Sequence, residues 1–258
     1  MTAGALAGWG GLLQHPGWIA AAAAAVFASG VLRGFSGFGS SLFSVPILSL
    51  MFAPAAVAPV MMGVQFLTGL QTLRSDRRAI AWPSVVPLAA AGSLAAVGGA
   101  GFLVSISADF ARLLMGLVVL ATVAVLMSGW RYARMPRMGL SAGVGAASGL
   151  LNGFAAMGGP PLVVYFLGGP FAPATARASM TFVFMVQGLV SLGSLAVLGA
   201  VSRGTLLAVA AVFPLMGLGT AVGTALFRRW GASHYRRACT GTLLLLALSL
   251  IARSVWAL

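Results

Sequence analysis

Ser29-Gly-Val-Leu-Arg-Gly-Phe-Ser-Gly-Phe-Gly-Ser-Ser-Leu-Phe-Ser-Val-Pro46, running on to Phe52-Ala-Pro54, recurs as Ser148-Gly-Leu-Leu-Asn-Gly-Phe-Ala-Ala-Met-Gly-Gly-Pro-Pro161, running on to Phe171-Ala-Pro173. The two stretches align without gaps at an offset of 119 residues, with 11 of 26 positions identical. Self-similarity at a fixed spacing marks a duplicated architecture. Each copy interrupts an apolar run with glycine and proline, and such breaks at matching places in two halves of a membrane protein point to a transport site.

The medium follows from composition. Of 258 residues, 60% are hydrophobic and 7% charged, against about 25% charged in a soluble domain. Apolar segments fill the chain and leave no polar stretch for an extramembrane domain, so residues 1–258 read as a single membrane domain, with a first repeat at 17–130 and a second at 138–258. The formal charge of +13 resides in arginines at the ends of apolar segments, where it reads as a topology signal rather than a nucleic-acid surface. One cysteine, Cys239, excludes an intrachain disulfide and a thiolate metal cluster. The N-terminus lacks the basic region of a signal peptide, and Trp18 to Ala28 is expected to persist as a first membrane helix.

Apolar runs at about 17–34, 39–52, 56–73, 83–104, 110–129, 138–154, 159–169, 175–199, 204–226 and 234–256 give five elements per half. The predicted class is an all-α polytopic membrane protein of eight to ten transmembrane segments. The runs at 39–52 and 159–169 fall short of the ~20 residues of a full crossing, so each half carries a broken or half-length helix. If all ten elements cross, about twelve arginines, Arg33 and Arg177 among them, face one side and Arg112, Arg203 and Arg253 the other. That bias sets the orientation, with both termini outside the cytoplasm. An odd number of crossings per half turns the second repeat upside down, which brings the two breaks together near the midplane.

The loops at the breaks carry the candidate site. Phe35, Ser36, Gly37, Phe38, Gly39, Ser40 and Ser41 open one helix, and Met157, Gly158, Gly159, Pro160 and Pro161 open the other. A helix start offers unpaired N–H groups and the positive end of the dipole, which suits an anion. Ser36, Ser40 and Ser41 add hydroxyls or serve as local caps; Asn152, Gln65 and Gln187 add amides inside apolar segments, where polar side chains face a cavity or a neighbouring helix. Gly30, Gly34, Gly149 and Gly153 read as close-packing positions. Asp76 and Asp109, the only acidic side chains, fall in predicted loops, leaving no membrane carboxylate to relay protons or bind sodium. His15 and His234 read as interfacial. No cofactor or metal site is expected, and no enzyme: there is no glutamate, and the histidines are far apart.

At these residues the chain resembles the TauE/SafE family of sulfite-exporter-like permeases. The likeness rests on Gly34-Phe-Ser-Gly-Phe-Gly39 followed by Val45-Pro46, on Gly158-Gly-Pro-Pro-Leu-Val-Val-Tyr165, on Arg177-Ala178 and on the duplicated layout. Ser40 and Ser41 stand where the family pattern has glycines. The resemblance implies a multi-pass permease of the bacterial inner membrane, exporting small sulfur-containing anions such as sulfite, sulfoacetate or related organosulfonates. Its partners are then the anion and the lipid bilayer, without nucleic acid, and a homodimer is admitted. A carboxylate permease, an uptake system and a non-transporting scaffold subunit share the same segments.

Overall fold

The computed structural model describes residues 16–49, 52–127 and 131–256, with the side chains beyond 230 outside the described set; among the described residues there are nine α-helices and no strand. They are α1 (Pro16–Ser36), α2 (Ser40–Leu48), α3 (Pro54–Asp76), α4 (Trp82–Ser105), α5 (Ala108–Met127), α6 (Met138–Ala155), α7 (Gly159–Gly168), α8 (Pro173–Val197) and α9 (Arg203–Trp256), with a 3-10 turn at Arg77–Ala79. His15 lies outside the described residues, as do the side chains of His234 and Cys239.

Four helices, Pro54–Ala79, Trp82–Ser105, Pro173–Val197 and Arg203–Trp230, are long and apolar enough to cross a membrane. The polarity of the molecule is that of a membrane protein. Large aliphatic side chains face outward, with Leu94 at 79% and Val197 at 90% exposure, while Ser29, Arg33, Gln65, Thr68, Asn152, Arg177 and Gln187 are buried. Lipid accepts the first set, and intramembrane polar groups turn to the protein interior.

The repeated motifs fold alike. α1 ends at Gly37 (φ +84°) and α6 at Ala156 (φ +57°), equivalent positions that both take the left-handed conformation of a helix stop. The half-helices that follow hold 9 and 10 residues, about half the length needed to cross. Ala53 (ψ 135°) and Ala172 (ψ 147°) are extended ahead of Pro54 and Pro173, because a residue before proline avoids the helical region and proline suits the first helical turn.

One boundary differs from the sequence expectation. Instead of separate segments at 204–226 and 234–256, the backbone runs as one helix of 54 residues. The link between them holds Gly231 and no proline, and a lone glycine costs a helix only about 1 kcal/mol.

The first helix of each motif packs on the fourth helix of the other half. A β-carbon added at Gly30 or Gly34 of α1 would overlap the backbone carbonyl of Met216 or Thr220 in α9; one added at Gly149 or Gly153 of α6 would overlap that of Gly92 or Ala96 in α4. These glycines let the backbones touch. Gly149→Val is therefore expected to destabilise the protein by about 3 kcal/mol, visible as loss of the monodisperse peak in detergent. Gly143→Val, where a β-carbon meets nothing within 4 Å, should leave that peak unchanged.

Candidate functional site

The two breaks meet. Gly39, Ser40, Ser41 and Leu42 of the first and Ala156, Met157 and Gly159 of the second enclose a small cavity with Arg33, Gln65 and Phe184. Its volume is about 10 Å3, room for about one water molecule, so the site is closed in this conformation. Neither half-helix has a side-chain cap at its start, which leaves the first N–H groups of α2 and that of Gly159 in α7 without capping oxygens; Pro160 and Pro161 carry none.

Gln65 of α3 links the breaks. Its Nε2 donates to Ser41 Oγ at 2.8 Å and to the Ala156 carbonyl at 2.7 Å. Since a carbonyl can only accept, the amide orientation is settled, and Oε1 is left buried without a partner.

Arg33 is one of two arginines that the sequence reading misplaces. Read there as a loop cation, it sits in the last turn of α1 with 2% exposure. A helix C-terminus favours a cation. Its Nη2 donates to the Gln65 carbonyl at 3.1 Å, its guanidinium carbon lies 6.0 Å from the Phe184 ring centroid, and Nε is buried without a hydrogen bond. The site thus contains a buried arginine beside the helix starts and amides that the sequence points to.

Arg177, also expected in a loop, is buried in the first turns of α8. It donates from Nε to the Gly34 carbonyl (2.7 Å), from Nη1 to Asp76 Oδ2 (2.8 Å) and from Nη2 to Thr224 Oγ1 (2.8 Å). Asp76 accordingly closes α3 as its last residue rather than lying in a loop, and Asp109 falls in the first turn of α5, paired with Arg112. Gly37 is pressed against Arg177, where a β-carbon would come within 2.7 Å of the Arg177 carbonyl oxygen.

The other sequence candidates divide. Ser36 makes a local turn, with Oγ donating to the Leu32 and Phe38 carbonyls and accepting from Phe38 N–H. Phe35 packs edge-on against Phe227, and Phe38 is core. Asn152 and Gln187 belong to a second buried polar group: Ser148 Oγ donates to the Gly158 carbonyl and lies 3.1 Å from the Gln187 amide, and Asn152 Nδ2 donates to Ser191 Oγ. In that group Asn152 Oδ1 and Gln187 Nε2 lack partners. Pro160 and Pro161 line an apolar groove between α5, α6 and α7, not the polar cavity.

Half-helices that start at a common polar cavity inside an all-helical membrane protein define the class: a polytopic protein built around broken helices. The sequence profile of the family described as Sulfite exporter TauE/SafE matches residues 22–250. The chain belongs to that family, a family of transporters. No curated protein and no solved structure matches it.

Proposed function

We propose that the protein exports a small sulfur-containing anion, sulfite, sulfoacetate or a related organosulfonate, across the bacterial inner membrane by alternating access at the Arg33 cavity. One observation carries this reading. Among the described residues two arginines are buried; Arg177 has Asp76 as its countercharge, and Arg33 has no carboxylate. An unpaired charge in the membrane interior is costly, and a bound anion supplies the missing partner. Arg33, Ser41, Gln65 and the helix starts at Ser40 and Gly159 would hold it, with Asn152 and Gln187 lining the path on the side of the second break.

The inverted relation of the halves draws support from α5. Near its start, Arg112 Nε donates to the carbonyl of Ser49, which caps α2; just beyond its end, Tyr132 N–H donates to the carbonyl of Gly168, the last residue of α7. α5 holds 20 residues, about 30 Å, the thickness of the hydrocarbon core. Two half-helices that begin at one cavity and finish at opposite ends of such a helix run to opposite faces. With Arg33 and Arg177 set aside as buried and the arginines inside the continuous α9 left out, six (Arg74, Arg77, Arg78, Arg131, Arg134 and Arg137) against two (Arg112 and Arg203) still favour one face.

Export is favoured electrically, since a cytoplasm-negative potential contributes about 2.3 kcal/mol per charge per 100 mV to an outgoing anion. Proteoliposomes loaded with sulfite are expected to show protein-dependent efflux that increases when a potassium gradient makes the lumen negative. Efflux indifferent to potential would count against uniport of an anion.

A further inference from the structure

The groove that receives Pro160 and Pro161 is a cavity of about 390 Å3, also lined by Val118, Tyr132, Leu140, Val144 and Leu151. Its hydroxyl groups are occupied within the protein. Tyr132 donates to the Tyr165 carbonyl, and the Tyr165 hydroxyl pairs with Ser141 Oγ at 2.6 Å. What remains is a hydrocarbon-like slot.

Its length and its mouth identify an occupant. The α6 lining runs from Leu140 to Leu151, eleven residues or about 16 Å, half of the ~30 Å hydrocarbon core and hence one leaflet deep. The shallow end lies at the loop carrying Arg131, Arg134 and Arg137, all exposed. Tyr132 sits between the first two, and Leu140 follows Arg137 by three residues. The chain has two acidic side chains in all; Asp76 is held by Arg177 and Asp109 by Arg112. The three arginines thus have no side-chain countercharge in the protein.

We propose that this groove binds one acyl chain of an anionic phospholipid whose headgroup phosphate is held by Arg131, Arg134 and Arg137. The chain enters from the basic loop, and its tail reaches Pro160 and Pro161, which open α7 at the second break. Basic pockets between membrane helices are suited to anionic headgroups. Lipid occupancy then braces the start of α7, coupling the composition of that leaflet to the conformation of the break.

The test uses the full-length protein in a neutral detergent, with phosphatidylglycerol or phosphatidylcholine of identical chains added back. Phosphatidylglycerol is expected to raise the thermal midpoint by several degrees more than phosphatidylcholine and to survive as a bound adduct in native mass spectra. Combined Arg131→Gln, Arg134→Gln and Arg137→Gln substitutions, all at exposed positions, should erase the difference. Val144→Trp, which fills the groove, should remove the adduct. Equal shifts for both lipids, a preference that persists in the triple variant, or the same shift from inorganic phosphate alone would overturn the proposal. So would cross-linking of Val144→Cys to a second copy of the chain, which would show a protein surface in the slot.

Discussion

Arg33→Gln is expected to lower sulfite efflux roughly 10- to 100-fold while leaving the protein as stable as before or more so. The loss follows from removing a charged donor, since hydrogen bonds to charged groups contribute about 1.5–3 kcal/mol and each 1.4 kcal/mol is tenfold. The effect on stability has the opposite sign from that of most buried substitutions. Arg33 makes one side-chain hydrogen bond, leaves Nε bare and has no carboxylate, so the resting protein carries most of the desolvation cost of the charge. A neutral amide removes that cost, and sites strained for function commonly gain stability when disarmed.

Efflux from proteoliposomes and the thermal midpoint in detergent read the two effects separately. Arg33→Lys keeps the charge but loses the planar fork that grips an oxyanion at two points, and it should fall between wild type and Arg33→Gln. If the midpoint drops in Arg33→Gln and flux falls only in proportion, Arg33 is a structural residue and the anion site lies elsewhere.

The breaks were legible because they rest on local chemistry. Gly37 and Gly39 admit the left-handed backbone and Pro54, Pro160 and Pro173 fix φ without help from distant residues, and the duplication shows Gly39 and Pro54 again as Gly158 and Pro173. The packing glycines were legible for the same reason. Arg33 and Arg177 were not, since an arginine near the end of an apolar run usually marks the membrane surface, and only tertiary packing shows otherwise. Isolation did not mark them either: these two stand alone among apolar neighbours, unlike Arg74, Arg77 and Arg78, but so do Arg112 and Arg203, which are not buried. Gln65 and Gln187 look equivalent in sequence, yet Gln65 spans both breaks and Gln187 joins Ser148. The partner across the interface decides between them, and a sequence does not contain it. The 54-residue α9 was hidden by Gly231 amid arginines, a pattern that suits a turn as well as a continuous helix.

Asp76→Ala is expected to destabilise the protein by about 3 kcal/mol, the low end for breaking a buried ion pair, because the Asp76 side chain retains 13% exposure. Arg177 would keep its bonds to Gly34 and Thr224 but lose its only carboxylate. Its place in the first turns of α8 makes this worse, since the positive end of a helix dipole repels a cation. Adding Arg177→Met removes the stranded charge, and the double variant should recover most of the lost midpoint, as buried pairs replaced by apolar side chains often do. Such recovery gives the pair a coupling energy of about 2 kcal/mol; additive losses would instead mean that Arg177 acts through its bonds to the backbone and Thr224. The contrast with Arg33 is the sharper test. Removing one charge at each site should have opposite effects, Arg33→Gln sparing the midpoint and Asp76→Ala lowering it, because Arg177 is neutralised by the fold and Arg33, under the proposed function, by the bound anion.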